Sequence, residues 1–208
     1  MSNEFKETFG SWVQAIGTVL SAIANTPTFV SDEHSSTNLD VVGNVLQGTG
    51  NAVIADGEEA FTLEQIGSAV QAVGNSSVVM GLISDFSQDT KDRLIINGNF
   101  IQAVGGGVSA ADITENAPDQ ALNIVGNLLQ AVGNSLQALA TIIDLNSVDQ
   151  NESFESFGGQ VGSDGLDEES IQVLGSWIQA IGSILTLIAQ LKSNQSDESD
   201  ESEDDNES

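Results

Sequence analysis

The chain has 208 residues, 39% of them hydrophobic, so it can form one domain with a sizeable core despite a formal net charge of -27. Only Lys6, Lys91, Arg93 and Lys192 are basic, which excludes neutralisation of a phosphate backbone, and we expect no nucleic-acid partner. Cysteine is absent, which excludes disulfides, thiolate metal sites and cysteine nucleophiles.

One octapeptide pattern, Gly-(Ser/Asn)-x-apolar-Gln-(Ala/Gly)-x-Gly, occurs six times. The copies begin at Gly10, Gly43, Gly67, Gly98, Gly126 and Gly175, end at Gly17, Gly50, Gly74, Gly105, Gly133 and Gly182, and contain Gln14, Gln47, Gln71, Gln102, Gln130 and Gln179. Their spacing is irregular, which favours one helix and a variable loop per copy over a strict solenoid.

The fifth copy shows how the pattern lies on a helix. At 100° per residue, Gly126, Gln130 and Gly133 fall on one narrow face, whereas Leu129 and Val132 lie on the opposite side. We call the face formed by the glycines and glutamines of the six copies the Gly/Gln stripe. The pattern predicts amphipathic helices with an apolar face and a stripe of small and amide residues.

The first three predicted helices cover 4–24, 38–55 and 62–84. Thr37-x-x-Asp40 and Thr62-x-x-Gln65 resemble capping boxes at the starts of the second and third helices.

The last three predicted helices cover 90–110, 118–145 and 168–192, with Pro118 in a first turn and acidic residues from Asp167 onwards at a helix start. We predict an all-α domain at 1–193, with its six helices packed as hairpins or a bundle, and a disordered acidic tail at 194–208.

A β-solenoid is the competing interpretation, in which each Gly-Asn pair is a turn between short strands. The Ala and Leu content, the near-absence of Pro and the long uninterrupted runs such as SLQALATII favour helices.

Charged residues are absent from the greater part of every predicted helix. The charge-free runs are Gly10–Ser31, Val41–Ala55, Gln65–Ser84, Leu94–Ala111, Ala121–Ile143 and Ile171–Leu191. Twelve helical glycines cost on the order of 10 kcal/mol relative to alanine, so close helix packing along the stripe must offset that cost. We therefore expect a buried stripe and a structural or scaffolding protein that self-associates through it.

The two tryptophans, Trp12 and Trp177, occupy the same position in the first and sixth copies. They are candidate interface anchors, with ordinary core aromatics as the alternative.

Membrane association is the second functional hypothesis. Several charge-free runs reach the length of a bilayer span, but their Gln, Asn and Ser content and the lack of a positive-inside pattern argue against it. The sequence favours self-assembly over a conditionally membrane-active, lipid-associating protein.

Residues for catalysis or cofactor binding are missing. The lone histidine, His34, lies in a polar loop, and no arrangement typical of a metal site or a nucleophilic triad is present. We expect no enzyme activity, no cofactor and no metal.

The copies GNLLQAVGNSLQA and GSWIQAIG resemble helical repeats in uncharacterised repetitive proteins of Bacillus-like bacteria. The resemblance covers all six copies, implies no catalytic residue and implies a cytoplasmic or spore-associated bacterial protein. The N-terminus, which lacks the pattern of a cleaved secretory signal, also predicts a cytoplasmic location.

Overall fold

The secondary structure is entirely helical in the residues that the structure, a computed structural model, describes, namely 2–58, 61–112, 118–155 and 167–204. Six helices follow one another: α1 Asn3–Ala24, α2 Glu33–Gly57, α3 Leu63–Ile83, α4 Gln88–Ala110, α5 Pro118–Glu155 and α6 Glu168–Asp204. The prediction of an all-α fold with one helix per repeat is confirmed, and no strand of a β-solenoid occurs in these residues.

Several helix ends differ from the predicted ones. The prediction of a capping box at Thr37 is wrong, because α2 begins at Glu33. Its N-cap is Asp32, which accepts a hydrogen bond from the Ser35 backbone N–H at 2.9 Å. Helices α5 and α6 run on to Glu155 and Asp204, beyond the predicted 145 and 192. The last residues of the predicted tail, 205–208, lie outside the described residues.

The predicted cap of α3 is present, and Asp167, predicted as negative charge at the start of α6, caps that helix. Thr62 Oγ1 accepts from the Gln65 backbone N–H at 2.9 Å, and Asp167 Oδ1 accepts from the Ser170 backbone N–H at 2.8 Å. Hydrogen bonds from Ser170 hold the pKa of Asp167 below its ordinary value, because they stabilise the ionised carboxylate.

The helices form a closed antiparallel ring. Each helix packs against its neighbours in the chain, and α6 returns to pack against α1. Among the described residues no other pair of helices approaches backbone to backbone. Opposite helices therefore face each other across a central axis.

The polarity of this ring is reversed relative to an ordinary globular domain. Of the described large aliphatic side chains, only Ile54, Val78, Ile171 and Leu187 are buried, while buried Gln, Asn, Ser and Thr side chains are numerous. Large apolar side chains are exposed on all six helices. The core is built from amides, hydroxyls, glycine and alanine, and the apolar face points outward.

Three described segments are long and apolar enough to cross a membrane, judged by length and composition: Leu63–Ile83, Gln120–Leu145 and Glu168–Ser196.

Candidate functional site

Glycines bring the backbones of three helix pairs into direct contact. A Cβ built on Gly10 would lie 2.7 Å from the Gly50 carbonyl oxygen, and one built on Gly50 would lie 2.5 Å from the Gly10 carbonyl oxygen. The same reciprocal contact joins five further pairs of block glycines: Gly17 with Gly43, Gly67 with Gly105, Gly74 with Gly98, Gly126 with Gly182, and Gly133 with Gly175. We call these contacts the glycine seams.

The seams lie within three hairpins, α1–α2, α3–α4 and α5–α6. In each hairpin the first glycine of one repeat meets the last glycine of the next, because the two helices are antiparallel. At such distances no larger residue fits without moving a backbone, which explains why glycine recurs despite its low helix propensity.

All eighteen residues of the predicted stripe are buried, and the seam contacts are made within the chain. A second copy of the protein would therefore meet the opposite, apolar face of each helix.

The six block glutamines converge on the axis of the ring. Each is at most 4% exposed. Gln14 Nε2 donates to Gln130 Oε1 at 2.8 Å, and Gln179 Nε2 donates to Gln47 Oε1 at 2.8 Å. These bonds join α1 to α5 and α6 to α2, which are not neighbours in the ring. Glutamine side chains are long enough to reach across the axis, so their amide contacts fill the space between the helices.

Small polar side chains surround the glutamines. Thr18 and Ser183 share a hydrogen bond across the α1–α6 contact, and Gln47 Nε2 donates to Ser21 Oγ at 3.0 Å. Further buried polar residues include Ser68, Asn75, Asn99, Ser109, Asn127, Asn134, Ser176 and Thr186. The interior is thus polar on all six helices.

Several buried polar atoms in this interior have no hydrogen-bond partner within the protein. They include Asn51 Oδ1, Gln102 Nε2, Gln130 Nε2 and both side-chain polar atoms of Asn134, which is 0% exposed. An amide left unsatisfied in a protein interior costs about 1–3 kcal/mol, so these atoms favour hydration of the axis.

A small polar cavity lies near the end of the ring that holds the N-terminus of α3. Its volume is about 20 Å³, and it is lined from five helices, including by Gln14, Asn51, Ser68 and Asn127. Glu64 also lines it and accepts from Asn123 Nδ2 at 3.1 Å.

A carboxylate marks the opposite end as well. Asp40 lies near the N-terminus of α2, where Asn44 Nδ2 donates to its Oδ1 at 3.0 Å. The sequence did not indicate that Glu64 and Asp40 lie at the two ends of the ring, since each looks like an ordinary acidic residue at a helix start.

The two tryptophans have different surroundings although they share a repeat position. Trp12 is 48% exposed on the outer face of α1. Trp177 donates from its indole Nε1 to Thr26 Oγ1 at 3.0 Å and packs edge-on against Phe29, with ring centroids 6.4 Å apart. Trp177 therefore anchors the connection between α1 and α2, whereas Trp12 faces outward.

Two apolar grooves run along the outer face beside α3. One has a volume of about 640 Å³ and is lined by residues that include Phe61, Ile66 and Ile101, and the other, of about 570 Å³, lies between α2 and α3. Both are open and predominantly apolar, so they suit aliphatic chains.

No group of three or more His, Cys, Asp or Glu side chains able to hold a metal ion occurs in the described part of the chain. His34 lies in the first turn of α2, not in a loop as predicted, and its Nε2 is 3.1 Å from Asn38 Nδ2.

A family model described as "Family of unknown function (DUF6944)" matches residues 5–187, a span that includes all six repeats. The chain belongs to this family. No curated protein and no solved structure matches it.

Proposed function

We propose that this member of the family is a non-enzymatic protein embedded in a lipid membrane, with its apolar outer face against acyl chains and its polar axis shielded from them. The observation that carries the proposal is the reversed polarity of the ring. Val73, Val104 and Ile181 are each more than half exposed, while the glutamines behind them are buried.

The apolar outer face surrounds the ring. Among the exposed residues are Ile16 on α1, Val45 on α2, Met80 on α3, Phe100 on α4, Leu128 on α5 and Ile184 on α6. A protein partner would cover one side of such a surface, whereas lipid covers the whole circumference. An uncovered apolar surface of this extent is not expected of a soluble monomer.

The charges and lengths of the helices also fit a bilayer. The 21 residues of α3 span about 30 Å, the thickness of a hydrocarbon core, and its charge-free run extends from Gln65 to Ser84. The charged residues of α4 lie in its first two turns, from Asp89 to Arg93. Their position places ionised groups at the ends of the ring, where water is available.

The short connections between helices carry exposed phenylalanines. Phe29, Phe61 and Phe86 are 64%, 86% and 50% exposed in the connections after α1, α2 and α3. Exposed phenylalanines at the ends of a helical bundle can insert into the apolar side of the boundary between acyl chains and headgroups.

In the described part of the chain, three helices are apolar enough to be identified as spans by composition, and the polar inner face explains why the other three are not. Gly, Gln, Asn and Ser on the axis lower the mean hydropathy of each helix although they never meet lipid. In a closed ring many of these polar groups hydrogen-bond to one another, as Gln14 does to Gln130, which lowers the cost of their insertion.

The test is flotation with zwitterionic phospholipid vesicles after reconstitution from detergent and an alkaline wash. We expect the protein to float, and Val104→Glu to reduce the floating fraction because it places a carboxylate in the hydrocarbon region. Thr28→Glu, which adds the same charge in the exposed connection after α1, is the matched control and should float like the unmodified protein.

Two outcomes would contradict membrane embedding. The unmodified protein would remain in the dense fraction, or Val104→Glu and Thr28→Glu would float equally well. A discrete, detergent-free oligomer measured by light scattering would instead support self-assembly, with copies of the chain covering the apolar face.

A further inference from the structure

Reversed polarity alone does not require an axis made of amides. A ring whose only role was to sit in lipid could be filled with aliphatic side chains, which need no partners. This ring instead keeps Gln102, Gln130 and Asn134 almost fully buried, with amide atoms that have no partner in the protein. In membrane proteins, polar residues directed at a bundle axis mark the paths of polar solutes.

We propose that the axis of the ring is a passage for water, with the glutamine cluster as its narrowest point. The proposal rests on the membrane embedding proposed above and adds to it the molecule that crosses. The passage runs from the cavity beside Glu64 to the end that holds Asp40.

The size and polar lining of the cavity suit a water molecule better than a hydrated ion. A volume of about 20 Å³ holds a single water molecule and is too small for an ion with its hydration shell. Its lining offers both hydroxyl and amide groups, from Ser11, Ser68, Gln14 and Asn51, so a water molecule there has several donors and acceptors within one small space.

Unpartnered atoms continue the hydrogen-bonding sites away from the cavity. Gln130 Nε2 and Gln102 Nε2 are donors, while Asn75 Oδ1 is an acceptor, and they lie on α5, α4 and α3. Water moving past them exchanges one hydrogen bond for another, which keeps the barrier low because no polar group is left unsatisfied.

The glutamines form a constriction of the proposed passage whose side chains can change conformation. The contact between Gln179 Nε2 and Gln102 Oε1 is long, at 3.4 Å, whereas that to Gln47 Oε1 is 2.8 Å. Glutamine side chains have several rotatable bonds, so the amides can turn between partners without movement of the helices that the glycine seams hold.

The glutamine cluster disfavours ions. Its side chains are uncharged, and the Oε1 atoms of Gln130 and Gln47 already accept from the amides of Gln14 and Gln179, so they are not free to replace an ion's hydration shell.

The experiment measures the shrinkage of reconstituted vesicles after an osmotic step, followed by stopped-flow light scattering. Vesicles containing the protein should shrink several-fold faster than protein-free vesicles. Gln102→Leu should return the rate to that of protein-free vesicles, because an apolar side chain of similar size dewets the axis. Gln195→Leu, an exposed glutamine on α6, is the matched control and should leave the rate unchanged.

Circular dichroism and flotation establish that each variant is folded and embedded. If Gln102→Leu does not fold, Gln47→Leu removes a second amide of the same cluster and takes its place. Potassium release, recorded in parallel, should not rise above that of protein-free vesicles.

Three results would overturn the water passage. They are a shrinkage rate equal to that of protein-free vesicles, an equal loss of permeability in Gln195→Leu, and potassium release that rises together with water flow. The first result with full flotation refutes the passage and leaves membrane embedding in place, whereas failure to float refutes the embedding.

Discussion

The inner and outer faces of each helix differ in their surroundings, and therefore in which residues each face can accept. On the inner face, glycines contact the backbone of the neighbouring helix, and Gln14 donates to Gln130 across the axis at 2.8 Å. On the outer face, Val73 and Val104 are each 61% exposed. The residues of the inner face are therefore restricted by helix packing, and those of the outer face by the medium that surrounds the ring.

The difference shows that one repeat can combine a face suited to close helix packing with a face suited to an apolar environment. A substitution on the inner face should act through helix packing and affect stability in any solvent. In the membrane embedding that we propose, a substitution on the outer face should act through partition between water and lipid. Four predictions sharpen this comparison.

The largest effect is expected at a glycine seam. Gly133→Ala places a methyl group 2.5 Å from the Gly175 carbonyl oxygen, so we expect a loss of about 3 kcal/mol in the free energy of unfolding. Urea unfolding followed by circular dichroism in detergent measures the change.

Gly107 on α4 is the matched control, because a Cβ there would meet no atom within 4 Å. Gly107→Ala should raise the free energy of unfolding by about 0.5–1 kcal/mol, because alanine is the better helix former. If the two substitutions changed stability with the same sign and size, the seams would not be tight packing contacts.

The next effect concerns the amide cluster. Gln130→Ala removes the acceptor of Gln14 Nε2 and leaves that donor buried, so the free energy of unfolding should fall by about 2 kcal/mol. Gln195→Ala, at an exposed position, should change it by less than about 0.5 kcal/mol. Equal effects in the same unfolding assay would show that the cluster contributes nothing particular to the fold.

The two tryptophans allow a part-buried hydrogen bond, that of Trp177, to be compared with the outward-facing ring of Trp12. Trp177→Phe loses the hydrogen bond to Thr26 and should cost about 1 kcal/mol. The same variant leaves Trp12 as the only tryptophan, so brominated phospholipid should quench its fluorescence strongly. In Trp12→Phe, where Trp177 remains, quenching should be weaker. Equal quenching in the two variants would argue against a lipid-facing Trp12.

The smallest effect is expected at the helix ends, away from both faces. Thr62→Ala removes the cap of α3 and should cost about 0.5–1 kcal/mol in thermal unfolding. Ser87, the N-cap residue of α4, makes no side-chain capping hydrogen bond, so Ser87→Ala should cost less. A larger loss in Ser87→Ala would contradict the assigned caps.

Much of the fold could be predicted from local patterns. The seven-residue period of Gly126, Gln130 and Gly133 places them on one helix face whatever surrounds the helix. The start of α2 could not be predicted in this way, because both Asp32 and Thr37 are capable N-caps. The capping hydrogen bond to Asp32 starts the helix five residues earlier than predicted.

The candidate site likewise contains residues that the sequence could identify and residues that it could not. The glutamines were identifiable because they recur, but Glu64 and Asp40 belong to no repeat, and only the ring places Glu64 beside the cavity and Asp40 at the opposite end. The partner of each glycine was equally unpredictable. Gly10 could have met any other repeat, and the antiparallel hairpin brings it to Gly50.

The sequence by itself determined that the chain forms helices with two uncharged faces, because periodicity and the placement of charge are local properties. Only the tertiary structure decided which face turns inward. That choice depends on how closely two backbones approach and on whether opposite amides meet across an axis. Six helices closed into a ring satisfy both conditions for the Gly/Gln stripe, and the apolar face is left outside.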